Sequence, residues 1–273
     1  MSLGAGARSV AGMVGDLSDF DAFAMLDWQV ELGADEAILE APLDRFALDA
    51  KPPEPAAATA VPAPAVAPSA TEVDATEVAR AAAAAATDLP GLRAALEGFG
   101  LCPLQATARN LVFADGVPGA RVMIVGEAPG RDEDRFGKPF VGRAGQLLDR
   151  MFDAIGLSRE AAAPDAGLYI TNMLPWRPPQ NRDPTAEEMS MLEPFVRRHV
   201  ELAAPEILVL MGNFACQGLI GKRGITRLRG DWTEVAGRPA LPMFHPAYLL
   251  RKPPEKARAW ADLLALQARL RGG

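Results

Sequence analysis

Four short apolar runs constrain this chain more than any other feature: Val122–Val125, Leu168–Thr171, Ile207–Met211 and Leu241–Phe244. None alternates with polar residues, which is the mark of a strand buried on both faces. Helical patterns follow at 144–155, 185–202, 214–220 and 255–270. Thr185 ahead of Glu187 and Glu188 is a good helix start. The alternation predicts a three-layer α/β/α domain around a central four-stranded parallel sheet. A ligand site in such a sheet belongs at the carboxyl ends of the strands. Glu127 follows the first run, Asn172 the second and His245 the fourth, so the pattern alone brings them to one end of the sheet.

The regular part begins at Asp88, so a domain of residues 88–273 is expected. Residues 1–50 read as a short acidic helical segment, with Phe20, Phe23, Leu26 and Trp28 among acids. Residues 51–87 are Ala/Pro-rich and read as a linker, although the Ala run 81–86 has high helix propensity. No apolar run approaches the roughly 20 residues that span a bilayer. The first residues lack the apolar centre of a signal peptide. Cys102 and Cys216 are the only cysteines, with no CxxC. A cytoplasmic protein with free thiols is the expectation.

The turn after the first run reads GEAPGRDEDRFGKPFVGRAGQLLDRM, from Gly126 to Met151. It lacks the Gly-Lys-Ser/Thr of a P-loop and the GxGxxG of a dinucleotide fold. Acids over a turn repel phosphates and suit water handling, cation stabilisation or binding of a neutral ring. A second segment, FHPAYLLR, spans Phe244 to Arg251. Together these segments resemble the uracil-DNA glycosylase superfamily, and within it the bacterial and archaeal family 4 type, over roughly residues 90 to 271. The resemblance implies the three-layer fold of that superfamily. It also implies an enzyme that flips uracil out of DNA and hydrolyses its N-glycosidic bond, leaving an abasic site. The charge distribution agrees. Residues 1–90 hold 4 Lys/Arg against 15 Asp/Glu, while residues 91–273 hold 24 against 20. The mildly basic part suits local, transient contact with DNA.

The chemistry asks for a pocket that takes the flipped base, reads its edge and stabilises the charge of the leaving uracil. His245 is the candidate donor to uracil O2, as a neutral imidazole or a cation. His199, mid-helix between Arg198 and Glu-bearing turns, reads as a solvated residue. Asn172 offers a donor and an acceptor that suit uracil O4 and N3–H and mismatch cytosine. The bland alternative is an Asn capping the strand end. Phe140 can stack on the base, or else simply pack in the core. Ala128 stands where the best-known branch carries a water-activating Asp, so it is read as a small substrate-contacting residue. Catalysis then leans on Glu127 and Glu133, which the residues alone do not rank. Asp132 and Asp134 read as solvated. Leu249, Leu250 and Arg251 form the expected DNA wedge, with Arg251 and Lys252 available to phosphates. Incidental leucines are the alternative.

Family 4 members hold a four-iron, four-sulfur cluster on four Cys. Here Phe99, Cys102, Trp176 and Leu192 stand at those positions, so no cofactor and no metal are expected. A monomer acting on uracil-containing DNA is expected, with a possible protein partner for the N-terminal segment. The alternatives are a glycosylase-like protein that binds or traps uracil-DNA without turnover, or a nucleotide-binding protein on the same layers. The absence of H-x-E…P-C-x-x-C argues against a zinc deaminase.

Overall fold

The four apolar runs lie side by side as parallel strands in the computed structural model, which describes residues 74–272. These all fall within the unit Ser69–Gly273. The expectations for residues 1–50, and for the linker up to residue 73, lie outside the described residues. Helices α1 (Ala75–Ala85), α2 (Leu89–Glu97) and α3 (Pro103–Thr107) precede strands β1 (Asp115–Gly116) and β2 (Val122–Gly126). Next come α4 (Arg131–Phe136), α5 (Arg143–Asp153) and β3 (Leu168–Asn172). Then follow α6 (Ala186–Ala203), β4 (Ile207–Met211), α7 (Asn213–Ile220) and α8 (Ile225–Leu228). After them come β5 (Thr233–Val235), β6 (Arg238–Met243), α9 (Pro246–Arg251) and α10 (Lys256–Arg271).

The sheet has six strands in the order β1-β3-β2-β4-β6-β5. The expected parallel strands, β3-β2-β4-β6, form its centre. Two short antiparallel strands flank them, β1 on β3 and β5 on β6. They make the outermost strands of the sheet very short, which leaves few edge backbone groups open to pairing with other chains. Alternation along β2 sends Val122 and Ile124 to one face and Met123 and Val125 to the other. The first face packs on Leu148 and Phe152 of α5 and on Leu263 and Leu266 of α10. The second packs on α2, α6 and α7 through Leu92, Phe195 and Phe214. Each fully buried Val, Leu or Phe contributes about 1.5–3 kcal/mol over exposure. The chain steps from β2 to β3 on one side, then crosses to β4 on the other. That reversal opens a crevice at the carboxyl end of β2, where ligands of such sheets bind.

Helix α6 starts as its sequence predicts. The Thr185 hydroxyl accepts from the Glu188 N–H at 3.1 Å, and the Glu188 carboxylate accepts from the Thr185 N–H at 2.9 Å. This reciprocal cap satisfies two backbone donors that the helix itself leaves open.

Helix α1 lies within the stretch read as linker, yet it is part of the folded unit. Ala79 and Ala83 are buried, and Arg198 of α6 donates to the Ala86 carbonyl at 2.9 and 3.1 Å. A chain starting at Asp74 is therefore expected to keep this packing. A chain starting at Asp88 loses that packing and should melt at lower temperature. Thermal unfolding of the two truncations checks this; equal midpoints would show that α1 contributes nothing.

Candidate active site at the strand ends

Gly126 and Asn172 are paired residues at the ends of β2 and β3. The period-two alternation of β3 puts Asn172 on the same face as Leu168 and Ile170, toward Phe140. A Cβ on Gly126 would lie 2.4 Å from Asn172 Oδ1 and 2.5 Å from Phe140 Cε2. No other residue type would let that amide and that ring close over the strand end. Asn172 is 4% exposed, and its Nδ2 is buried with no hydrogen-bond partner among the described residues. Such a group costs about 1–3 kcal/mol, so an orphan donor at a strand end calls for a ligand acceptor. The reading of Asn172 as a mere cap finds no capping bond for that nitrogen.

Phe140 is buried, with its ring centroid 5.3 Å from that of His245 at 30°. Its φ of 54° is unusual for a bulky residue. His245 ends the loop after β6 and caps α9, its Nδ1 accepting from the Ala247 N–H at 3.2 Å. With Nδ1 used as acceptor, the neutral ring carries its proton on Nε2. Desolvation, helped by the Arg251 charge, pushes its pKa down to about 4. Of the two states open to it in sequence, His245 thus takes the neutral one, with Nε2–H as donor.

Glu127 follows Gly126 directly, beside the half-buried Ala128. Burial, reinforced by Asp183, pushes the Glu127 pKa up to about 7, while Arg223 and Arg251 pull it down. Asp183 and Arg223 are thereby placed near the site, and the sequence reading passed over both. Arg223 belongs to the Lys222-Arg223 pair in the loop after α7, the local basic signal that marks it in the sequence. That loop is held by Asn213, whose Oδ1 accepts from Gly224 and Ile225 N–H at 3.0 and 2.9 Å.

Glu133 is placed differently from Glu127. Its Oε1 accepts from the N–H groups of Val141 and Gly142 at 3.0 and 2.9 Å, and its Oε2 from Gly130 at 3.1 Å. The carboxylate therefore ties the GEAPG turn to the Phe140 loop. Glu133 is thus engaged with three backbone N–H groups, while among the described residues the Glu127 side chain makes no hydrogen bond. Asp134 is not solvated. It is 9% exposed and accepts from Arg109 and Asn110 N–H at 2.8 and 3.2 Å, anchoring α4 to the segment before β1.

The expected wedge is half corrected. Leu249 is fully buried in the core, so it cannot enter a duplex. Leu250 is 36% exposed and Arg251 is exposed. Adjacent helical residues point about 100° apart, so one leucine of the pair packs inward and the other faces out. His199 is also corrected. It is 3% exposed, bonded to the Tyr169 hydroxyl at 2.9 Å and stacked on Phe113 at 4.4 Å. Burial pushes its pKa down to about 3, so it is a neutral core residue.

Phe99, Cys102, Trp176 and Leu192 are all buried and share one apolar cluster, with Phe99 edge-on to Phe195 at 5.3 Å. One thiol among four positions does not fit a Cys₄ iron–sulfur cluster. Among the described residues no group of three or more His, Cys, Asp or Glu could hold a metal ion. Among them also, no helix is long and apolar enough to cross a membrane.

A sequence profile described as the Uracil DNA glycosylase superfamily matches residues 113–264, which contain every site residue above. The chain is 40% identical over 155 residues to the Type-4 uracil-DNA glycosylase of Thermotoga maritima, covering 55% of this chain and 77% of that protein. It is 41% identical over 161 residues to the Type-4 uracil-DNA glycosylase of Archaeoglobus fulgidus, covering 56% and 78%. With that of Sulfurisphaera tokodaii it shares 36% over 165 residues, covering 56% and 71%. The matched span, the parallel sheet and the convergence of Glu127, Phe140, Asn172 and His245 at its strand ends agree: this chain belongs to the uracil-DNA glycosylase superfamily.

Proposed function

We propose that this protein excises uracil from DNA by hydrolysing the N-glycosidic bond. The observation that carries the reading is the buried Asn172 Nδ2, unpartnered among the described residues, beside Phe140, with the His245 ring centroid 5.3 Å from that of Phe140. A flipped uracil stacks on Phe140. It accepts at O4 from Asn172 Nδ2 and donates from N3–H to Oδ1. Cytosine carries a donor at position 4 and an acceptor at N3, so it meets like against like. Neutral His245 donates from Nε2 to O2, where negative charge develops as the bond breaks. The sugar becomes oxocarbenium-like, and the Glu127 carboxylate stabilises it or orients the water that adds. Ala128 leaves the room that an acid would fill. Leu250 fills the vacated stack and Arg251 takes a phosphate.

A labelled uracil oligonucleotide, incubated with the protein and then treated with alkali, tests this. Free uracil and a cleaved strand are expected. A stable complex without release would mark a binding or trapping protein instead.

Asn172→Asp should lose uracil excision, because a carboxylate cannot donate to O4 and repels its lone pairs. Single-turnover rates on uracil and cytosine substrates read this out. Unchanged excision with unchanged discrimination would remove Asn172 from base reading.

Because the Glu127 pKa is raised to about 7, its ionised form accumulates as pH rises through neutrality. If the carboxylate acts, kcat/KM should climb across that range and level off above it. Glu127→Gln should be slow and lack the inflection. A wild-type profile flat from acidic to alkaline pH would assign the work elsewhere.

The cluster expected of family 4 is absent from our reading, supported by the donor set at Phe99, Cys102, Trp176 and Leu192. A cytoplasmic monomer is the setting we infer, from cysteine usage and from a site built within one chain.

A further inference from the structure

Arg159 lies in the turn after α5, outside every motif described so far. The residue before it is anchored by its backbone: the Ser158 N–H donates to Ala166 O at 2.9 Å, and Ser158 O accepts from Leu168 N–H at 3.0 Å. The Arg159 side chain is 10% exposed. Its Nη1 donates to the Pro139 carbonyl and its Nη2 to the Phe140 carbonyl, both at 2.9 Å. Asp115 accepts from Nη1 at 3.1 Å, and Asp149 accepts from Nε at 2.8 Å. The two carboxylates hold the planar fork in place and balance its charge, while two arms grip the loop that carries Phe140.

That loop needs holding. Phe140 sits at φ 54°, a region that bulky residues leave unless the surroundings over-determine it. Glu133 grips the N–H groups of Val141 and Gly142 from one side. Gly145 of α5 lets the Phe140 carbonyl approach so closely that a Cβ there would lie 1.8 Å from it. Arg159 completes the restraint on the carbonyl side.

We propose that Arg159 is a positioning residue for uracil recognition, fixing the Phe140 ring against Gly126 and Asn172 through the carbonyls of Pro139 and Phe140. The inference rests on the uracil-excision reading above. Arginine suits the task because its fork serves two carbonyls and two carboxylates at once. A lysine, as a point charge, can answer the aspartates but not both carbonyls in plane.

The test is a double-mutant cycle in single-turnover uracil excision, with Arg159→Gln, Phe140→Ala and the combination. Arg159→Gln should slow excision by roughly 10- to 100-fold, the scale of a displacement of about 1 Å at a reacting site. On the Phe140→Ala background the same change should cost little, because its effect runs through a ring that is no longer there. Arg159→Lys keeps the ion pairs, should stay folded by thermal unfolding, and should still lose much of the rate. Additive losses in the cycle, or a full rate in folded Arg159→Lys and Arg159→Gln, would overturn the role. A wild-type protein that releases no uracil would instead retire the functional reading itself.

Discussion

His245→Ala is expected to lower the single-turnover rate of uracil excision by roughly 100- to 1000-fold, the size of losing one preorganised donor to a developing anion. The geometry gives this its sign. Nδ1 is engaged by the Ala247 N–H, so Nε2–H is the free donor, and burial keeps the ring neutral down to about pH 4. A neutral donor strengthens its bond as uracil O2 gains charge and does not need to be protonated first. The same substitution removes the cap of α9, which costs about 0.5–2 kcal/mol of stability. His245→Asn separates the two effects. Asn is a good N-cap, so it should keep the helix start while lacking the imidazole. Both variants should be slow, and the Asn variant should melt closer to wild type. A rate within a few fold of wild type in either folded variant would take His245 out of the mechanism.

Trp176→Ala is expected to destabilise the domain by about 3–5 kcal/mol, a large share of the 5–15 kcal/mol that holds a typical domain. Trp176 is 3% exposed in the cluster with Phe99, Cys102 and Leu192. In this chain we take packing alone to hold that region together, without a metal cross-link. Phe99→Ala should cost a similar amount, and Cys102→Ser less, because one small side chain is exchanged for another of like size. Equilibrium denaturation reads these losses. The companion expectation is a colourless protein without stoichiometric iron or sulfide. A brown preparation with four irons per chain, or a Trp176→Ala variant as stable as wild type, would sink the packing account.

The leucine pair of α9 shows where local sequence stops being informative. Both residues looked suited to a wedge, but a six-residue helix is too short to reveal its buried face by periodicity. Only the packed fold assigns Leu249 to the core and Leu250 to the surface. His199 is the opposite case, because its signal was present. Leu192, Phe195, Val196, His199, Val200 and Ala203 recur at helical spacing on one face of α6, and all are buried. The flanking charges drew the reading toward solvent, yet the period placed the imidazole inside.

By itself the sequence determined the parallel core and the end of the sheet that carries the site. Both are local in origin: short apolar runs alternating with helical patterns read as parallel strands buried on two faces, and the turns that follow such strands gather at one edge. It also carried the identities of Glu127, Phe140, Asn172 and His245. The division of labour among charged groups was decided only in three dimensions. Glu133 and Glu127 are both acids after the same strand, but among the described residues one meets three backbone N–H groups and the other none. Asp134 reaches back to Arg109 and Asn110, and Arg159 reaches back to Pro139 and Phe140. The two-residue edge strand β1 exists through its pairing with β3. Contacts between residues some 20 or more positions apart leave no periodic trace, because what sets them is the distance between folded surfaces.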